Sequence, residues 1–351
     1  MAESCLFRQR AVVLMTAMTT PPSPILIGAL APLSPPGWAA AGRHLVAGLE
    51  LAVRDLNSSG GVDGRPLKLL VRDTAADPMR ATAAVDEFAD IGAAAVVGEF
   101  HSVVARAAAA QSVVRHLPFV CSSAVLDALT DEPTDLVARI APPQSRGWTL
   151  YADYLRSLGH AHIAVVAQPS IYWAAGGQIL SRRLVVTRLT PDQLTSPGPR
   201  ILAGATAVLL LTGHPEPALS LVRSIRRDHP DVLIGAPAGQ PELPEWCTPE
   251  GAGIPFLRYL PSRFTSLGGR VAADLPRSPS FVAFEGYDAV KAVAEFLRAR
   301  AWSEVDVEGT RGRITFRSTP ELPIWQWTWS PLQIADRDPA DPTAFRVLRS
   351  G

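Results

Sequence analysis

The chain has 351 residues, with 33 basic side chains balanced by 33 acidic ones and a formal charge of zero. Apolar residues make up 47% and charged residues 19%, which excludes a disordered chain and allows a large core; the length suggests about two domains. Neutrality leaves no footprint for nucleic acid and no polybasic tether, and no run of about 18 apolar residues is present to span a bilayer.

Residues 1–24 read differently from the rest. Arg8 and Arg10 precede a short apolar run, Ala11 to Met18, and a Pro-rich stretch to Pro24, the order of a secretory leader. Glu3, the shortness of the run and the lack of an A-x-A site fit a cytoplasmic N-terminus as well, so export and retention both stay open. The body then alternates. Ile25–Leu30 is a buried strand by its continuous apolar run. Trp38–Leu56 is a helix, with Leu45, Leu49, Ala52 and Val53 at helical spacing, ended by Asn57-Ser-Ser-Gly-Gly. Leu67–Arg72 is a strand, Asp77–Ile91 a helix with Pro78 in its first turn, Ala94–Gly98 a strand, Ser102–His116 a helix and Phe119–Ser122 a strand. Strand–helix alternation predicts a parallel sheet covered by helices.

The pattern restarts at Ser145. Helices are expected over 148–158, 172–184, 216–228 and 280–300, and strands over 163–167, 207–212, 232–236, 312–317 and 323–329. The stretch 237–261 is Pro-rich, 176–199 reads as a helix that has lost a part, and 337–351 reads as a loose tail. No repeat of 20 to 50 residues shows.

Chemical motifs are few. There is no G-x-G-x-x-G after the first strand, no G-x-x-x-x-G-K-[ST] and no G-x-S-x-G, so nothing calls for a nucleotide, a cofactor or the usual hydrolase nucleophile. His160-x-His162 offers two ligands with no neighbouring acid or Cys, which a solvated turn explains better than a metal. Asp127, Asp131, Glu132 and Asp135 read as a solvated acidic face. Cys5, Cys121 and Cys247 form no CxxC, and spacing does not decide whether Cys121 and Cys247 pair.

Geometry supplies the remaining candidates. Ligands of open parallel sheets sit beyond the carboxyl ends of the strands. The loops there hold Trp38, Asp73–Asp77, Phe100-His101-Ser102 and Ser123-Ala124-Val125. Ser102 and Ser123 are expected where helices begin, either to hold an oxygen acceptor with free backbone N–H groups or simply to cap. Trp38 and Phe100 suit pocket walls or core.

The stretches Ile27-Gly-Ala-Leu-Ala-Pro-Leu-Ser, Ala47-Gly-Leu-Glu-Leu-Ala-Val-Arg-Asp-Leu-Asn-Ser-Ser-Gly-Gly-Val-Asp-Gly-Arg-Pro-Leu, Val97-Gly-Glu-Phe-His-Ser, Phe281-Val-Ala-Phe-Glu-Gly-Tyr-Asp-Ala-Val and Gly309-Thr-Arg-Gly-Arg-Ile-Thr-Phe resemble the type I periplasmic binding proteins, in their branched-chain amino acid and amide-binding group. The likeness runs over about 25–330 and is patchy from 170 to 260. It implies an α/β fold of two parallel-sheet, Rossmann-like lobes joined by three crossovers, with ligand in the cleft between them. The crossovers are expected near Ala141-Pro142, Tyr259-Leu260-Pro261 and Leu322-Pro323-Ile324. Lobe one is then 25–141 plus 262–321, lobe two 142–259 plus 324–346, and 347–351 a tail.

The resemblance also implies site residues. Ser102 matches a serine used on the ligand's carboxylate, Phe100 an apolar wall beside that serine, and Trp38 an aromatic lid. Ser123 and Ala124 match the next loop, where Val125 replaces a usual ligand-binding threonine. Tyr172 or Trp173 matches the aromatic that closes over the ligand, and His214 or Gly213 another aromatic position. The acid that pairs with an amino group should follow the strand at Ile234, where Gly235-Ala-Pro-Ala-Gly-Gln has none; Glu242 and Glu245 come a few residues later. A buried ammonium without an anion costs several kcal/mol, so a carboxylate or amide without a free amino group is the expected ligand. The implied function is non-enzymatic solute binding for an ABC-type importer, extracytoplasmic if exported. The rivals are a cytoplasmic ligand sensor acting on a partner protein, and an α/β enzyme that uses Ser102 beside His101.

Overall fold

A computed structural model describes residues 22–195, 202, 204–276 and 279–351. Most of the leader-like segment, residues 1–21, lies outside the described residues. The apolar run Ile-Leu-Ile-Gly-Ala-Leu-Ala becomes β1 (Ile25–Ala31), almost wholly buried, as a central parallel strand must be. It is followed by α1 (Ala39–Ser58), β2 (Leu67–Asp73), α2 (Pro78–Asp90), β3 (Ala95–Gly98), α3 (Ser102–Val114), β4 (Phe119–Cys121) and β5 (Val137–Arg139). The Asp77 carboxylate accepts from Met79 N–H at 2.8 Å, and Pro78 fills the first turn of α2.

A second series runs α4 (Gln144–Ser157), β6 (His162–Ala167), α5 (Ile171–Ser181), β7 (Val185–Leu189), α6 (Pro191–Thr195), β8 (Ala207–Leu211), α7 (Ala218–Asp228), β9 (Leu233–Gly235) and β10 (Phe256–Arg258). The chain closes with α8 (Ser266–Asp274), α9 (Phe281–Ala299), β11 (Asp306–Glu308), β12 (Arg313–Thr319), β13 (Leu322–Trp327), β14 (Gln333–Arg337) and β15 (Phe345–Ser350).

The strands form three sheets. The first has eight in the order β11-β12-β13-β5-β4-β3-β1-β2; from β13 to β2 it is parallel, and β11 and β12 are antiparallel additions. The second has four parallel strands in the order β7-β6-β8-β9, and the third is the antiparallel set β10-β14-β15. Helices α1 and α9 pack together on the first sheet with backbones nearly touching. A Cβ on Gly48 would stand 1.8 Å from the Ala283 carbonyl oxygen, and one on Gly286 would stand 2.5 Å from that of Leu45. Two of the stretches that carry the resemblance therefore meet at their glycines.

The chain passes between the first sheet and the other two after β5, after β10 and after β13. Buried side chains tie these passages. Gln326 donates to Ala141 O at 2.8 Å, Ser330 to Ile140 O at 2.9 Å, and Arg311 to Tyr259 O at 3.1 Å. Arg311 is itself held by Asp288 at 2.9 Å and lies 5.1 Å from the centre of the Trp327 ring.

Several expectations need correction. The third passage does not fall at 322–324, because those residues open β13, which pairs with β5 and β12 in the first sheet; residues 324–327 therefore belong with the first sheet. The stretch 176–199 is not a truncated helix, since α5 ends at Ser181 and the edge strand β7 and short α6 follow. The end of the chain is not loose. β15 pairs with β14, Gly351 N–H donates to Leu332 O at 2.9 Å, and Arg258 and Arg337 stand 4.3 and 4.6 Å from the centre of the Phe345 ring. Cys121 is a buried free thiol and Cys247 an exposed one.

Candidate functional site

In each parallel sheet the chain order reverses once near the middle. In the first this lies between β1 and β3, in the second between β6 and β8. Loops leaving the strand ends there diverge and leave a crevice. The two crevices share one cavity of about 620 Å³. The first sheet contributes Trp38 after β1, Phe100, His101 and Ser102 after β3, and Ser123 and Val125 after β4. The second contributes Gln168 and Ser170 after β6, Tyr172 and Trp173 on α5, and Gly213 after β8. Tyr259, at the second passage, and Phe281, at the start of α9, complete the walls.

Ser102 is not a cap. His101 holds the N-cap position of α3 and makes no side-chain cap bond, so the first turn of α3 presents its N–H groups uncapped, with Ser102, Val103 and Val104 all lining the cavity. The Ser102 oxygen accepts from Val125 N–H and Leu126 N–H, both at 3.3 Å. A hydroxyl has two acceptor sites and one proton. Both acceptor sites are taken, so Ser102 has only a donor to offer the cavity.

His101 is fixed in a single tautomer. Trp38 N–H donates to its Nε2 at 3.1 Å, which leaves the proton on Nδ1. Burial pushes its pKa down to about 4, so the ring is neutral at pH 7. The loop rests on Glu99, which is fully buried. Its carboxylate accepts from Thr74 Oγ1 at 2.7 Å, Phe100 N–H at 2.8 Å and His101 N–H at 2.9 Å. Burial outweighs these donors and raises the pKa to about 7.

On the opposite wall the Gln168 side-chain Oε1 accepts from Gly213 N–H at 2.6 Å, bridging the ends of β6 and β8. Ser170 caps α5 by accepting from Tyr172 N–H at 3.2 Å. Tyr172 and Trp173 pack against each other with ring centres 4.6 Å apart.

Of the ten expected residues, Trp38, Phe100, His101, Ser102, Ser123, Val125, Tyr172 and Trp173 line the cavity. Ala124 does not; it is buried behind the loop, where its carbonyl receives the Cys121 thiol. His214 does not either. It is held behind the wall by Trp246 Nε1–H on its Nδ1 at 2.7 Å and by Glu245 at 3.2 Å, and its ring meets Trp38 at 5.3 Å. Ser123 does not open a helix, because an irregular loop follows β4. Gln168, Ser170, Tyr259 and Phe281 were missed as site residues, although the strand-end rule that marked Phe100–Ser102 applies equally to the end of β6. His160 and His162 lie away from the cavity, bonded to Thr206 and Thr187.

Among the described residues no Asp, Glu, Lys or Arg lines the cavity. The two late acids are committed elsewhere. Glu242 is buried, pairs with Arg258 at 2.7 Å and accepts from Phe281 N–H at 3.2 Å; Glu245 serves His214.

A family model described as periplasmic binding protein matches residues 24–241. The chain belongs to the periplasmic binding protein family. In fold it is similar to the branched-chain amino acid transporter substrate binding protein LivJ of Streptococcus pneumoniae, in complex with isoleucine (TM-score 0.76, 19% identity, 93% of this chain and 100% of that one). It is equally similar to a solute binding protein of an R. palustris ABC transporter in complex with 4-hydroxybenzoate (TM-score 0.75, 15% identity, 94% and 97%). Among curated relatives, Leu/Ile/Val-binding protein homolog 7 of Brucella melitensis is 35% identical over 119 residues, 34% of this chain and 29% of that protein. Homolog 2 of Brucella abortus is 36% identical over 80 residues, 23% and 21%. The match thus spans less than a third of these relatives' length.

Proposed function

We propose that the chain is a non-enzymatic solute receptor that holds a small organic carboxylate lacking a free amino group and presents it to an ABC-type importer outside the cytoplasm. The observation that carries the ligand class is the pairing of a donor-only Ser102, beside the uncapped start of α3, with a cavity lined by no charged side chain among the described residues. Helix-start N–H groups and a hydroxyl proton suit an anionic oxygen. Among the described residues no acid lines the opposite wall to meet an ammonium, and Glu242 and Glu245 already have partners. Proteins of this fold hold isoleucine in one case and 4-hydroxybenzoate in another; a cavity lined by no acid among the described residues supports a ligand of the second kind. No helix among the described residues is long and apolar enough to cross a membrane. His101 gives its Nε2 to Trp38 N–H and is not placed as a base through that nitrogen.

Calorimetry with benzoate and 4-methylpentanoate on the protein and its Ser102→Ala variant tests the reading. The variant is expected to bind about 10- to 100-fold more weakly, the cost of an unmet polar partner, and to lose several degrees of Tm, because the Val125 and Leu126 N–H groups lose their acceptor while the fold is kept. Equal affinity in the two proteins would remove Ser102 from the site.

A further inference from the structure

A second cavity of about 300 Å³ adjoins the first, and Gln168, Pro169, Ser170 and Trp173 form walls of both. It lies beyond the carboxyl ends of β6, β7 and β8, with Ala167, Leu189 and Leu211 as apolar lining. Arg188 on β7 also lines it and is the only cation among the described residues that faces either cavity. A Cβ on Gly177 would meet the Arg188 guanidinium at 3.6 Å and nothing else within 4 Å. Trp173 and Gly177 are four residues apart on α5 and so share one helix face. The guanidinium therefore sits one helical turn, about 5.4 Å along the axis, beyond the tryptophan that closes the main cavity. Arg188 is exposed and makes no ion pair among the described residues, unlike its neighbour Arg183, which reaches Asp153.

We infer that this chamber is a second subsite and that the solute is a dianionic acid with an apolar spacer. One carboxylate lies at Ser102 and the start of α3, the spacer passes Trp173, and the far anion meets Arg188. This rests on the proposed carboxylate site and adds the far end of the ligand. Three features point to it: the two chambers share a wall at Gln168–Ser170 and Trp173, the second chamber sets Val165, Ala167, Leu189 and Leu211 beside the neutral polar groups of Thr190 and Gln193, and its one charged group is a cation without an anion among the described residues.

The test is titration calorimetry of the full chain with straight-chain α,ω-dicarboxylates of four to ten carbons, each beside its monocarboxylate. One diacid is expected to bind about fivefold or more tighter than its monoacid, as a charge-assisted contact allows. Arg188→Gln is expected to abolish that preference while changing monoacid affinity less than about twofold. Gly177→Leu, which keeps the charge but fills the chamber, is expected to do the same. A diacid that never outbinds its monoacid, or an Arg188→Gln variant that weakens both alike, overturns the subsite and leaves the carboxylate site standing. Failure of every mono- and diacid to bind overturns both.

Discussion

The two walls of the cleft are built differently. The wall from the first sheet is set on eight strands and on helices α1 and α9 in backbone contact. It presents the Ser102 hydroxyl and the start of α3, and the Phe100-His101 turn before that helix is held by buried Glu99. The wall from the second sheet stands on four strands with an exposed edge at β7. It presents rings and one amide. In the proposed reading the first wall holds the carboxylate end of the ligand and the second the part that varies. Hydrogen-bond geometry tolerates little displacement, whereas apolar contact tolerates repacking, so the stiffer scaffold carries the donors.

The largest expected effect breaks or upholds that contrast directly. Gly48→Leu forces a side chain into the α9 backbone and is expected to cost more than about 4 kcal/mol, a severe overpacking. Gly177→Leu on α5 meets only the end of a flexible arginine and is expected to leave stability nearly unchanged. Thermal denaturation of the two variants decides; equal losses would mean that the second lobe is as tightly built as the first.

A smaller effect concerns the support under the donors. The folded pKa of Glu99 lies near 7 against an ordinary 4.5, so between these values the folded state holds more protons than the unfolded one. Stability from this group is present below pH 4.5 and is lost as the pH rises toward 7. His101 acts in the opposite sense, losing stability as the pH falls from 6.5 toward 4. Glu99→Gln keeps an oxygen for the two N–H donors, and Thr74 can turn to accept from the new amide. The variant is expected to recover up to about 3 kcal/mol at neutral pH and to flatten the loss between pH 4.5 and 7, measured by urea denaturation across that range. An unchanged pH profile would show that Glu99 is ionised at little cost.

Much of the first lobe was legible in the sequence because its signals are local. The apolar run of β1, the Asp77-Pro78 helix start and the strand-end positions of Phe100 and Ser102 each fall within a few residues. What stayed hidden depends on distant partners. The commitment of Glu242 needs Arg258 and Phe281, 16 and 39 residues away. The strand β14 shows as polar Gln-Ile-Ala-Asp-Arg, yet Arg337 is buried by bonds to the Pro241 and Leu243 carbonyls and Asp336 is paired with Arg346. The edge strand β7 has only five residues of mixed polarity, too short a pattern to separate from the helix before it. His214 stood at an aromatic position of the family but faces Trp38 instead of the cavity, an orientation that its bonds to Trp246 and Glu245 impose and spacing does not reveal.

In the proposed reading the cleft accepts a carboxylate and rejects an ammonium. Leucine and 4-methylpentanoate differ only in the amino group. Titration calorimetry of each on the same protein at neutral pH tests the claim most directly. Tighter binding of 4-methylpentanoate by about 100-fold or more, the equivalent of a buried ammonium left without an anion, is the predicted result. Tighter binding of leucine would contradict it and would require an acid in the cleft that Glu242 and Glu245, as paired here, do not supply.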